Sequence, residues 1–324
     1  MGFGYWATDL WKVGYCKSIE IRILGRRTIG RDKMIVYEQD NVQEIKEIIK
    51  KNLKWGNIAQ AANVLSSKID QLHSAGGVQV CRDLLNEFSI EVRGKYPSLL
   101  FSEGYILFRE RQLDEAISLL EIARLNAKML HQQDLGVKCY LELGRAYQRK
   151  DKFQKAYQQL WEAHQLIPSI KDNSLQADLY LSLSRICPDI GALKSGIEFA
   201  NKALDIFNEN NNILGQFECL WLMSLIFRQL GNYQEATNQL ETAKLYHSAG
   251  NLDQQAYTKL VNSELHINWY KGYLPEALKK GMQLKELADN ISDDIQRIFA
   301  RILLGNLYRG IGEYEKAQYY YVRI

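Results

Sequence analysis

Apolar and small residues recur along most of the chain at helical spacing, and the helices they predict come in pairs. Ala116, Leu120 and Ala123 share one face, because offsets of four and seven residues return to the same side of a helix. Ala156, Leu160 and Ala163 repeat the arrangement, as do Ala236, Leu240 and Ala243. Before each set stands another small residue (Gly104, Gly144, Ser184, Ser224 and Gly305), with Leu265 as the exception. A large residue often follows three later: Leu107, Tyr147, Phe227 and Tyr308. The markers Ala116, Ala156, Gly196, Ala236, Ala277 and Ala317 lie 40 residues apart, with one interval of 41. Such a period predicts a solenoid of helix-turn-helix units, in which small residues let paired helices approach and large ones fill the space between pairs.

The expected fold is therefore all-α: about six forty-residue repeats over residues 96–324, the last one truncated. Residues 41–95 are predicted as an atypical helical pair. Trp55-Gly-Asn-Ile-Ala-Gln-Ala61 carries the turn signature, yet the next marker is fifteen residues late, and His73–Gly77 is where the extra length is expected. Residues 1–40 read as an irregular arm with room for one short hairpin, since Ile19, Ile21 and Ile23 alternate with Glu20 and Arg22. Pro97 and Pro275 fall in predicted first turns, whereas Pro188 should end or kink its helix early. The last helix ends the array without a polar cap. Tyr319, Tyr320 and Tyr321 are expected on that exposed end, as a dock for a partner or another copy unless the chain is a fragment of a longer protein.

Little in the sequence points to chemistry. The five cysteines (Cys16, Cys81, Cys139, Cys187, Cys219) form no CxxC pair and are expected as buried free thiols in a cytoplasmic protein. The histidines are scattered, with no HExxH and no ligand pair, and no GxSxG elbow occurs. Gly25-Arg-Arg-Thr-Ile-Gly30 lacks the Lys-Ser/Thr of a phosphate loop. No enzyme, cofactor or metal is expected. The absence of any long apolar run predicts no membrane segment; the formal charge of +3 neither demands nor forbids a nucleic-acid partner, and direct binding is not expected because the basic arm (Arg22, Arg26, Arg27, Arg31, Lys33) stands without a recognisable nucleic-acid motif.

The repeat resembles the tetratricopeptide (TPR) consensus, with a small residue, an aromatic three later, and two alanines seven apart, but each unit is six residues longer than the usual 34. A second resemblance starts at Leu84-Leu-Asn-Glu-Phe88, Tyr96-Pro-Ser-Leu-Leu100 and Gly104–Ala116: this stretch is similar to the start of the sensor superhelix of MalT-like (STAND-type) transcription regulators. Peptide-sensing TPR regulators have similarly long repeats. These resemblances imply a right-handed superhelix whose first helices line a concave groove. The chain would then be a binding module for a peptide, a protein or an anionic small ligand. It would be the sensing part of a transcription regulator or, as alternatives, a generic interaction scaffold or a peptide-sensing regulator.

Carrying the groove positions over gives Arg109 in the first repeat, Arg145, Gln148 and Arg149 in the second, and Arg185 in the third. Trp221 and Arg228 follow in the fourth, Asn262, His266 and Trp269 in the fifth, and Asn306 and Arg309 in the sixth. Arginine forks suit carboxylates and phosphates, and aromatics with arginine are typical anchors. The competing expectation is that several of these arginines pair with acids such as Glu142, Glu218 and Asp178, and that the aromatics pack between repeats.

Overall fold

The computed structural model describes residues 31–250, 252–290 and 294–322. The strand pattern near Ile21 and the glycine-flanked Gly25–Gly30 stretch lie outside them. Among the described residues all regular structure is helical. An opening pair, α1 (Arg31–Lys54) and α2 (Ile58–Asn86), is followed by the single turn α3 (Ile90–Arg93). Six pairs follow: α4 (Pro97–Arg109) with α5 (Leu113–Met129), α6 (Gln133–Arg149) with α7 (Phe153–His164), and α8 (Asn173–Ile186) with α9 (Leu193–Glu209). Next come α10 (Ile213–Gln229) with α11 (Tyr233–Gly250), α12 (Gln254–Lys271) with α13 (Leu274–Asp289), and α14 (Asp294–Gly310) with α15 (Tyr314–Val322). The chain divides into two compact units between Leu175 and Gln176, here called N-terminal and C-terminal. Helix α1 starts at Arg31, so its first residues fall inside the stretch expected as an irregular arm.

Within each pair the turn is the same, and the backbone shows why. The residue five before each marker adopts a left-handed conformation: Arg111, Asp151, Gly191, Gly231, Gly272 and Gly312, and Gly56 before Ala61 in the opening pair. The next amide then reaches back five residues, as in Gln112 N–H to Leu107 O (2.9 Å), Lys152 to Tyr147 (2.9 Å) and Asn232 to Phe227 (2.9 Å). This is the Schellman closure, which satisfies carbonyls that a helix end leaves open.

Small residues set how closely the paired helices approach. A Cβ on Gly104 would lie 2.8 Å from Leu120 Cγ, and one on Gly144 would lie 2.8 Å from Leu160 Cδ2. Where serine stands instead, its hydroxyl donates to the marker's carbonyl: Ser184 to Gly196 O and Ser224 to Ala236 O, both 2.7 Å. The exception, Leu265, is compensated. Gly281 occupies the place that leucine holds in the first, second and fourth repeats, and a Cβ there would meet Leu304 (2.8 Å), Leu307 (3.1 Å) and Leu265 (3.5 Å). Large and small have exchanged places across one interface, conserving volume.

Helix α8 stops at Ile186 and a 3-10 turn, Cys187–Ile190, carries Pro188. Pro97 and Pro275 sit in first turns. The long α2 contains a break at Gly77, inside the stretch predicted to hold the extra residues. At the other end only part of the expectation holds. Tyr319 and Val322 are exposed, but Tyr320 stacks on Tyr308 (5.5 Å) and the Tyr321 hydroxyl donates to Asn306 Oδ1 (2.7 Å). Gly305 leaves the room that the Tyr321 ring fills, since a Cβ there would lie 2.5 Å from it.

Candidate functional site

The predicted site residues all lie on the first helices of their pairs, yet fewer are open to solvent than a bare groove would require. In the N-terminal unit, Arg109 and Arg149 lie against Phe108: their guanidinium carbons are 5.6 and 4.0 Å from its ring centre, and Arg149 also donates to the Phe108 carbonyl (3.2 Å). Arg145 is paired with Glu142 of its own helix, and Gln148 is half-buried. Arg109 further reaches Asp70 at 3.6 Å.

The C-terminal unit gathers more of the set. Trp221 on α10 is buried, and its indole N–H donates to Ser263 Oγ on α12 (3.1 Å) while Lys259 covers its ring at 4.6 Å. Arg228 is buried too, with its guanidinium carbon 5.5 Å from the Tyr270 ring. Its charge acts on His266: burial first, then Arg228, holds that imidazole well below its ordinary value, so it is neutral near pH 7. His266 lies parallel to Trp269, with centroids 6.4 Å apart. Asn262, one turn earlier on the same face, is half-buried, and its Oδ1 has no hydrogen-bond partner. Asn306 accepts from Tyr321, and Arg309 is exposed.

Arg185 is tied up more firmly than a free fork would be. Glu218 accepts from it at 3.2 Å and from Lys259 on the other side. Burial pushes the Glu218 carboxyl up, but Lys259 and Arg185 together outweigh this, and it titrates below the usual range. Glu264 is held in the same way between Lys244 and Lys280, with the same net direction. Arg145 thus pairs with an acid of its own helix, as the competing expectation has it, whereas Arg185 meets Glu218 on the next first helix. Residues that did not enter the predicted set, Ser263 and Lys259, prove to fix Trp221. Only their spacing of one repeat from it could have signalled this.

No protein-family model matches the chain, and no curated protein matches it. Solved structures do. NprR in complex with its cognate peptide NprX superposes with a TM-score of 0.62 at 13% identity, over 80% of this chain and 75% of that one. The fold is that of TPR-like repeat proteins. The apo form of RapI matches this TPR-like chain with a TM-score of 0.58 at 13% identity, over 79% of it and 91% of RapI. The STAND protein PH0952 from Pyrococcus horikoshii, which has a tetratricopeptide repeat sensor, matches with a TM-score of 0.58 at 13% identity. That match covers 89% of this chain and 47% of PH0952, so the chain spans about half the length of that protein.

The four described thiols, Cys81, Cys139, Cys187 and Cys219, are free and buried. Burial pushes Cys81, Cys187 and Cys219 up to about 12 and raises Cys139 as well. Among the described residues, no group of three His, Cys, Asp or Glu could hold a metal, and no helix is long and apolar enough to cross a membrane.

Proposed function

We propose that this chain is a non-catalytic binding module that holds a peptide, or an extended segment of a protein, on the faces of its first helices, and that it serves as the sensing part of a transcription regulator of the MalT-like kind. The observation that carries the binding reading is Asn262. A half-buried amide whose oxygen has no partner, on the same helix face as His266 and Trp269, is suited to the amide of an extended chain: it offers a donor and an acceptor side by side, with aromatic surface beside it. The ion pairs at Arg145 and Arg185 favour a peptide over a free small anion, because those guanidinium groups already have carboxylates. Support for a sensing role comes from the likeness to PH0952, whose repeats are described as a sensor, and to NprR, which was solved with a peptide.

Panning a displayed random heptapeptide library on the full chain tests this. We expect a family of related peptides to be enriched, and Asn262→Ala to weaken the best of them by roughly tenfold, the loss of one or two hydrogen bonds. Recovery of unrelated sequences only, or equal binding by Asn262→Ala, would sink the reading.

A further inference from the structure

Helix α5 turns one face to α4 and leaves the opposite one exposed, and that exposed face is apolar. Ala116, Leu120, Ala123 and Ala127 are its buried side, where Leu120 fills the space beside Gly104. On the other side Ser118, Ile122, Leu125 and Met129 step by four, three and four residues, the spacing of a seam between two helices. Ser118 is exposed, and Ile122, Leu125 and Met129 are 47%, 50% and 78% exposed, with Leu130 (58%) beside them.

The other full repeats do not share this stripe. Six residues after the marker, where α5 has Ile122, stand Glu162, Lys202, Thr242 and Gln283. Nine after it, in place of Leu125, stand Gln165, Asp205 and Glu286, with Leu245 the one apolar residue. Repeat packing therefore does not require the stripe, and an exposed apolar patch of this kind marks an interaction surface.

The charges beside it say what covers it. Glu121 and Lys128 each precede a stripe residue, so both lie on one flank. The opposite flank holds Leu119 and Asn126 and no charge. A second copy of α5 laid antiparallel brings the same flank of each helix together. With Ile122 level with Leu125 of the second copy, Ser118 is level with its Met129, and Glu121 lies about 3 Å along the axis from its Lys128. The two-fold axis repeats that ion pair, so the arrangement holds two. A parallel pair would set the charged flank against the uncharged one and gain neither. Lys128 is exposed, and Glu121, which accepts from the Tyr147 hydroxyl (2.9 Å), keeps acceptor capacity for it.

We propose that two copies of this chain pair through α5, antiparallel about a two-fold axis level with Ala123 and Arg124. Ile122, Leu125 and Met129 form the seam, and Glu121 of each copy pairs with Lys128 of the other. One helix against one helix is at the small end of specific interfaces, below about 1,200 Å² in total, so the pair should dissociate on dilution. The proposal stands apart from the peptide reading, since none of the site residues lies on α5.

Sedimentation equilibrium of the full chain over about 1–100 µM tests it, a range in which a small interface forms and dissociates. The parent should rise toward twice the 37.5 kDa of one chain. Leu125→Glu, at a position already exposed, should keep the parental unfolding temperature when dilute and stay monomeric throughout. Lys128→Glu and Glu121→Lys should each weaken self-association about tenfold, because each sets like charges together. Mixed, these two variants should pair more tightly than either does alone, since one then carries only acids on the flank and the other only bases. A parent that stays monomeric at every concentration would overturn the proposal, even if it captured a different protein through the stripe. Undiminished association in Leu125→Glu would place the contact elsewhere, such as the Tyr319 end, and sink it too. A lowered unfolding temperature of dilute Leu125→Glu would mean that the chain itself covers the stripe, with the same result. No gain on mixing would refute the antiparallel pairing.

Discussion

The two units turn the same corner with different residues. In the C-terminal unit every left-handed position between paired helices is glycine: Gly191, Gly231, Gly272 and Gly312. In the N-terminal unit the two full repeats use Arg111 and Asp151, which pay a steric cost that glycine avoids. Polar groups do not divide in the same way. The C-terminal unit closes two half-buried acids between two cations each, Glu218 with Arg185 and Lys259, Glu264 with Lys244 and Lys280. Yet each unit also leaves a side-chain oxygen without a partner, Glu142 Oε2 in the N-terminal one and Asn262 Oδ1 in the C-terminal one. One fold thus carries a stretch of glycine corners and a stretch that tolerates local backbone misfit. Misfit of this kind persists where surrounding structure over-determines it, and it is often found near function.

The largest effect we expect would break the C-terminal pattern at its exchanged pair. Leu265→Ala should cost about 3 kcal/mol through the cavity it leaves. Gly281→Leu should cost about 2–3 kcal/mol through overpacking against Leu304 and Leu307. The double variant should lose at least about 1 kcal/mol less than the two single losses added, because each change relieves the other. Denaturant unfolding of all four proteins checks this; strict additivity would refute the exchange.

Next in size is Glu218→Ala, which leaves Arg185 and Lys259 without their acid. We expect a loss of about 2 kcal/mol, reduced from that of a fully buried pair because both cations are partly exposed. Acid should act on the same features. Glu218 and Glu264 titrate lower folded than unfolded, so their stabilisation is complete above the ordinary value of 4.5 and fades as pH falls through the folded values. His266, held neutral by burial and Arg228, adds a loss that begins as pH falls below its ordinary 6.5. Hydrogen exchange between pH 7 and 4 should therefore show α10 and α12 loosening, and His266→Gln should delay the onset. The smallest effect sharpens the contrast from the other side. Arg111→Gly and Asp151→Gly should each stabilise the protein by about 1 kcal/mol, whereas Gly231→Ala should destabilise it by at least as much. Thermal unfolding reads the signs directly.

How much of this could be read beforehand depended on whether the signal was local. The repeats were legible because the markers and the small residues recur at a fixed interval. The glycine corners follow the same interval, since Gly231 and Gly312 stand five residues before their markers, as Gly56 does before Ala61. Arg111 and Asp151 were not legible as corners, because a charged residue in a left-handed corner looks like any surface residue. The site residues were legible as positions on first helices, but not what each of them meets. Arg185 meets Glu218 33 residues later, and Trp221 meets Ser263 42 residues later. Those distances are near one repeat, so many other pairings would have served equally well on sequence grounds. The lone carboxylate at Glu142 was visible only as an acid near arginines. Its unsatisfied oxygen is a property of packing.

The exchanged pair at Leu265 and Gly281 also limits how freely the array can be edited. In the first and second repeats the paired contact is settled inside one repeat, Gly104 with Leu120 and Gly144 with Leu160, and a block of forty residues carries its own complement. Gly281 takes part of its filling from Leu304 and Leu307 of the following repeat. A recombination that joins the fifth repeat to any other successor would therefore have to import those two leucines with it. Shuffling, duplication or grafting of single repeats should succeed more readily after the first and second repeats than at this junction, which welds the last two repeats into one inheritable block.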